Sequence, residues 1–218
     1  MLKTSLNYFS STQSFFTSDK YELSLHKLAI PPNHQFSPKR LTDFSTGRYC
    51  AIKALEQLGI KDAIIPIGKD REPIWPDGVV GSISHCDTLV GAIVAKKSKH
   101  ISLGLDIEEI GRVTPDLFDL VFTEKEKSYL SSFKGRKLEE QSTLIFSMKE
   151  AFYKMQFPLT KTFLDFKDVE IEINNACFYL KILTEFPSKN KLPILNEIFY
   201  LLDKNIVITY AFYSITSK

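Results

Sequence analysis

The chain has 218 residues, 44% of them hydrophobic and 12% aromatic, enough to bury a core in one large domain or two modest ones. Lys and Arg number 28 against 26 Asp and Glu, a net charge of +2, so composition does not call for nucleic acid as a partner; a local basic patch for a phosphorylated small molecule stays open. The cysteines Cys50, Cys86 and Cys177 are odd in number, far apart and without CxxC spacing, which excludes a disulfide framework or a zinc site and points to a reducing compartment. No run has signal-peptide character, and LVGAIVA is too short to span a bilayer. The expectation is a soluble cytoplasmic protein.

The first forty residues mix aromatics with Ser, Thr, Pro and Asn, and a strand is expected over 21–30. LTDFSTGRYCAIKALEQL, residues 41–58, repeats apolar residues at helical spacing and stops at Gly59, a helix with a C-terminal glycine. After the turn-rich KDREPIWPDGVVG come two strand candidates, GSISHC and LVGAIVAKK, separated by Asp87 and Thr88. ISLGLDIEEI is a third. A helix is expected across DLFDLVFTEKEKSYLSSF, residues 116–133, and a long one across LEEQSTLIFSMKEAFYKM, residues 138–155, ending before Pro158. KDVEIEIN, CFYLKILTE, EIFYLLDK and NIVITYAFYS then read as antiparallel strands. Each half thus offers a long helix and a set of strands, an α+β pseudo-repeat with halves at 1–103 and 104–218.

Asp106 and Glu108 are spaced i, i+2, which on a strand points both carboxylates to one side, with Leu105 and Ile107 on the other. A solvated strand end is the commoner explanation of a lone DIE, and Glu109, pointing away, fits that. The helix carrying Glu150 shifts the balance. Leu144, Ile145, Met148, Ala151, Phe152 and Met155 form an apolar stripe, Phe146, Tyr153 and Phe157 an aromatic one, and Ser147, Glu150 and Lys154 a narrow polar line between them. Glu150 and Lys154 are i, i+4 and could be an ordinary helix ion pair. Between two apolar surfaces, however, the line is expected to face a polar cleft where Glu150 meets the strand acids and Lys154 meets an anion. Three carboxylates without histidine or cysteine make a hard-oxygen set that suits Mg²⁺, which commonly completes its shell with phosphate oxygens. A phosphate or pyrophosphate substrate is implied. Ser84 and His85, neighbours on a strand, point to opposite faces and cannot easily form a dyad with each other. With Arg40, Arg48 and Arg71 they suit phosphate holding, although an ordinary strand-end histidine explains SISH as well.

GRYCAIKAL, REPIWPDGVVGSISHC, LGLDIEE, FTEKEKSYL and FSMKEAFYK, in this order and spacing, resemble the 4'-phosphopantetheinyl transferases that serve siderophore and other nonribosomal peptide synthetases, the enterobactin synthase component D kind in particular. The resemblance covers residues 44–154 and rests on combined motifs, each weak alone. It implies a pseudodimeric α+β fold, two similar halves each with an antiparallel sheet on a long helix, with coenzyme A and Mg²⁺ in the cleft between them. It further implies that Asp106, Glu108 and Glu150 hold the metal, that Ser84, His85, Arg48 and Arg40 hold the nucleotide's 3'-phosphate, and that Lys154 binds the reacting phosphate. Arg71 lies in REP where related sequences often have GKP, and the resemblance implies that it would stand in for the missing lysine. Glu150, or Glu126 through a water, would take the proton of a carrier-protein serine as the phosphopantetheine arm is transferred and 3',5'-ADP released. The implied partner is an acidic apo carrier domain docking near residues 157–189, and the implied state is a monomer. The competing readings are a scaffold that binds coenzyme A or a carrier domain without reaction, and a Mg²⁺-dependent nucleotide pyrophosphatase.

Overall fold

The computed structural model describes residues 13–18, 36–174, 177–185 and 197–215. The strand expected over 21–30 lies outside them. The chain divides into two compact units, Met1–Leu103 with Ser214–Lys218, and Gly104–Tyr213.

In the first unit β1 (Gln13–Ser18), β2 (Val79–His85) and β3 (Val90–Lys96) form a sheet of order β1-β3-β2, antiparallel throughout. β2 and β3 form the expected hairpin, in which Ser84 opposes Gly91 and the Cys86 N–H donates to the Leu89 carbonyl at 2.9 Å. β1 was not legible as a strand, because QSFFTS lacks alternation and is ordered by its pairing with β3. Helix α1 (Pro38–Gln57) begins earlier than its apolar repeat: the Ser37 hydroxyl accepts the Arg40 N–H at 3.3 Å, and Pro38 occupies the first turn, where its missing N–H has no partner to lose. Gly59, at φ 83°, turns the chain out of the helix. Cys50, Ala51, Ala54 and Leu55 of α1 pack on Val79, Val90, Ala92 and Val94, the core of this unit.

β4 (His100–Glu109), which belongs to the second unit from Gly104 on, β7 (Glu197–Asp203) and β8 (Ile206–Ser214), which belongs to it up to Tyr213, make a sheet of order β4-β8-β7, while β5 (Val169–Asn174) and β6 (Cys177–Ile182), also in the second unit, form a separate antiparallel ribbon. The single helix expected over 116–133 is two, α2 (Phe118–Val121) and α3 (Glu124–Leu130). The break is Phe122, extended at φ −107°, after which Thr123 and Glu126 form a capping box that starts a new helix. Helix α4 (Gly135–Thr160) runs past its expected end and holds Pro158 within its last turn. A proline there deletes only one intrahelical bond, and the helix stops at Lys161, in left-handed conformation at φ 52°. Leu144, Ile145 and Met148 pack with Phe122, Leu130, Ile171 and Val207 as the core. The fold is α+β, and each unit sets one long helix against antiparallel strands. Among the described residues no helix is long and apolar enough to cross a membrane.

Candidate active site

Within the second unit the close approach of β4 to α4 depends on Gly104. A Cβ there would collide with the Ala151 carbonyl oxygen and lie 2.7 Å from the Met155 amide nitrogen, so glycine lets the strand rest directly on the helix backbone. Gly104, Asp106 and Glu108 alternate onto this one face, which carries both acids to the side of the helix that bears Glu150 and Lys154. Asp106 is only 1% exposed, and its Oδ1 accepts a hydrogen bond from Lys154 Nζ at 2.6 Å. The lysine therefore bonds across to β4, a contact that its i, i+4 spacing to Glu150 does not disclose.

The carboxylates feel one another. Burial, then the charge of Asp106 and to a lesser degree that of Glu150, pushes the Glu108 carboxyl up to about 7, against the opposing pull of Lys154 and Arg112. Glu150 is likewise raised by burial, opposed by Lys154 and reinforced by Asp106. Burial works against the charge of Lys154, yet Asp106 and Glu150 outweigh it and hold the ammonium above the ordinary lysine range. Three acids thus share one ammonium, with Arg112 Nε 3.8 Å from Glu108 Oε2 at the margin. Among the described residues no three acid, histidine or cysteine side chains are gathered closely enough to form a ready-made metal centre; what is present is an all-oxygen donor set short of positive charge.

Ser147 does not belong to this polar line. It is fully buried, and its Oγ lies 2.8 Å from the Thr209 hydroxyl on β8. Glu126 is also elsewhere: its side chain is 0% exposed, Oε2 accepts from Lys149 Nζ at 2.7 Å and the Thr123 N–H at 2.8 Å, and Oε1 accepts from the Ile171 N–H at 2.7 Å. With both oxygens occupied inside the core, it serves the fold rather than proton transfer, which corrects its candidacy as a base. Beside Glu150 opens a cavity of about 130 Å³ lined by Lys149, Phe152, Tyr153, Phe163, Leu164 and Phe166 among others. Of the expected aromatic stripe only Tyr153 lines it; Tyr153 contacts Phe157 and the lining Phe163 at centroid distances of 5.5 and 5.8 Å, and Phe146 contacts the lining Phe166 at 5.3 Å.

Within the first unit a cavity of about 430 Å³ is lined by Lys39, Arg40, Arg48, Arg71 and His85, with Asp43 and Phe44 among its other walls. Four of the expected phosphate-holding residues therefore converge. Arg48 is anchored by its Nε to the Ile65 carbonyl at 2.8 Å and lies 4.4 Å over the Phe44 ring; burial lowers it to about 10, so it remains cationic at neutral pH. Arg71 reaches the cavity from a loop in which its own φ is 67°, held by bonds from the Gly68 N–H to the Glu72 carbonyl and from the Arg71 N–H to the Gly68 carbonyl, at 2.7 and 3.0 Å. Ser84 is not part of this lining. Strand alternation turns Ile83 and His85 into the cavity and leaves Ser84 buried, at 5% exposure.

Residues 30–95 match the sequence model of the 4'-phosphopantetheinyl transferase N-terminal domain, and residues 102–211 match that of the 4'-phosphopantetheinyl transferase superfamily. The chain belongs to the 4'-phosphopantetheinyl transferase superfamily. It is 38% identical to the 4'-phosphopantetheinyl transferase Svp of Streptomyces mobaraensis over 63% of its own length and 56% of that protein's. It is also 38% identical to enterobactin synthase component D of Escherichia coli, over 59% of its own length and 61% of the relative's. The chain thus spans somewhat over half the length of these curated relatives. Among solved structures it resembles a holo-(acyl-carrier-protein) synthase of Bacillus anthracis in complex with CoA (3',5'-ADP), at 22% identity and a TM-score of 0.43 over 53% of this chain and 97% of that one. For a superfamily member, two features were absent from the motif reading. Phe44 backs the Arg48 guanidinium, and Lys149 braces the core beside Glu150. The second left a trace: a lysine in the middle of the apolar stripe of α4 must have a buried partner.

Proposed function

We propose that the protein transfers the 4'-phosphopantetheine arm of coenzyme A to a serine of an apo carrier-protein domain in nonribosomal peptide, siderophore or related biosynthesis, releasing 3',5'-ADP. The observation that carries this reading is the set Asp106, Glu108, Glu150 and Lys154, three carboxylates around one ammonium, inside the region that matches the superfamily. The donor set fits Mg²⁺, being all oxygen and in need of positive charge. Asp106, Glu108 and Glu150 would hold that ion, which supplies neutralisation of charge on the diphosphate.

The chain's own residues do the rest. In the cavity of the first unit, Arg40, Arg48, Arg71 and His85 suit the 3'-phosphate of the nucleotide, a dianion that several guanidiniums can grip. Lys154, 29% exposed at its side chain, offers its charge to the phosphate that becomes more negative as the bond to the leaving group lengthens. The serine oxygen bonds to the β-phosphorus, the bond from that phosphorus to the bridging oxygen breaks, and the electron pair leaves on 3',5'-ADP. Glu150, held above the ordinary carboxylate range by burial, accepts the serine proton. The cavity beside Glu150 and the loop after α4, where Phe163 is 78% exposed and Lys161 and Lys167 supply positive charge, are assigned to docking of an acidic carrier domain. The protein is read as a cytoplasmic monomer.

Incubation with coenzyme A, Mg²⁺ and an apo carrier domain, followed by intact-protein mass spectrometry, tests the proposal. The carrier is expected to gain the phosphopantetheine arm, and Asp106→Ala to abolish the gain while the protein stays folded. Cleavage of coenzyme A without carrier gain would make the protein a hydrolase instead, and neither change would make it a scaffold.

A further inference from the structure

Lys149 precedes Glu150 on α4 but points the other way, into the core, and its side chain is 2% exposed. Its Nζ donates to the Val121 carbonyl at 3.0 Å, to Glu126 Oε2 at 2.7 Å and to the Phe166 carbonyl at 2.9 Å, which spends all three protons of an ammonium. Glu126 passes the connection on to the Thr123 and Ile171 amides. One buried pair therefore ties α4 to the end of α2, the start of α3, the loop that follows α4, and strand β5. A buried ion pair contributes little net stability compared with apolar residues of the same size, because desolvation offsets the attraction. Its effect here is geometric. Phe166, whose carbonyl it holds, also lines the cavity beside Glu150 together with Phe163 and Leu164 from the same loop and Tyr153 from the helix.

We propose that Lys149 is a positioning residue for the acceptor: through Glu126 and the Phe166 carbonyl it clamps residues 163–171 against α4 and so keeps the apolar wall beside Glu150 in the shape that receives the carrier domain. This rests on the transferase reading for the identity of the acceptor, but the clamp itself can be tested without activity. The variant Lys149→Met leaves Glu126 charged and buried, and is expected to lose stability broadly. The double variant Lys149→Met/Glu126→Gln removes both charges at similar volume, leaves an amide oxygen for the Ile171 N–H, and is expected to recover most of the wild-type Tm.

In that double variant, amide hydrogen exchange at residues 164–171 is expected to speed up about tenfold or more while the rest of the second unit keeps its protection. The KM for the carrier is expected to rise about tenfold, with the KM for coenzyme A within about twofold of wild type. Wild-type exchange at 164–171, or equal loosening of the whole second unit, would overturn the clamp, as would an unchanged carrier KM. Should the double variant not fold, Glu126→Gln alone, which leaves Lys149 both backbone carbonyls, is expected to keep residues 164–168 protected; loss of protection there would equally overturn it. A wild-type protein that modifies no carrier would defeat the transferase reading, and the exchange measurement would still decide the clamp.

Discussion

At the scale of single residues the structure separates charges that bind from charges that hold the fold. Lys149 and Glu126 face inward and satisfy each other, whereas Asp106, Glu108 and Glu150 crowd like charges together, with Asp106 bonded to Lys154 and Glu108 3.8 Å from Arg112. Arg71 shows the same division within one residue. Its backbone is left-handed at φ 67°, a conformation that costs a non-glycine residue on the order of 1 kcal/mol, while its guanidinium lines the cationic cavity. Arg71→Gly should therefore move two observables in opposite directions: Tm is held or raised, and titration calorimetry shows weaker binding of 3',5'-ADP. Tighter binding, or binding unchanged within error, would remove Arg71 from the phosphate site. The candidate cluster Asp106, Glu108, Glu150 and Lys154 was legible because strand and helix periods place those residues on known faces, as in LGLDIEE and FSMKEAFYK. SISH shows two polar neighbours, and only the strand's alternation, fixed by how β2 seats on its surroundings, decides that His85 and Ile83 turn to the cavity.

At the scale of elements, α4 and β4 make the acidic set, and Gly104 governs their approach. Gly104→Ala would press a methyl group into the Ala151 carbonyl and the Met155 amide, backbone that cannot swing aside as a side chain can. Overpacking of this kind costs about 1–3 kcal/mol, and a urea melt should show at least that loss, together with weaker divalent-ion binding by whatever protein remains folded. A melt indistinguishable from wild type would mean that strand and helix are not in direct contact. The element boundaries that sequence missed have local causes. FTEKE reads as continuous helix by periodicity, but Thr123 and Glu126 form a capping box that the extended Phe122 makes possible. Pro158 reads as a stop, yet in the last turn it forfeits a single bond. Strand β1 owes its order to its partner β3, and a pairing of distant segments leaves no local pattern to read.

At the scale of the whole molecule, each unit repeats one solution, a long helix on antiparallel strands; the cavity of the first unit gathers Lys39, Arg40, Arg48 and Arg71 with Asp43, and the cluster of the second gathers three carboxylates with Lys154. Alternation, helical period and turn residues made the α+β class legible, and the motif order made the superfamily legible. The partition of lysines was not, since Lys149 and Lys154 differ only in which side of α4 they leave.

The most direct measurement is a Mg²⁺ or Mn²⁺ titration, in the presence of coenzyme A, of the wild type and of Asp106→Asn, Glu108→Gln and Glu150→Gln. One ion should bind per chain, each substitution should weaken it about tenfold or more, and wild-type affinity should rise with pH through about 7 as Glu108 gives up its proton. Undiminished binding in the three variants, or affinity indifferent to pH across that range, would place the ion somewhere other than on these carboxylates.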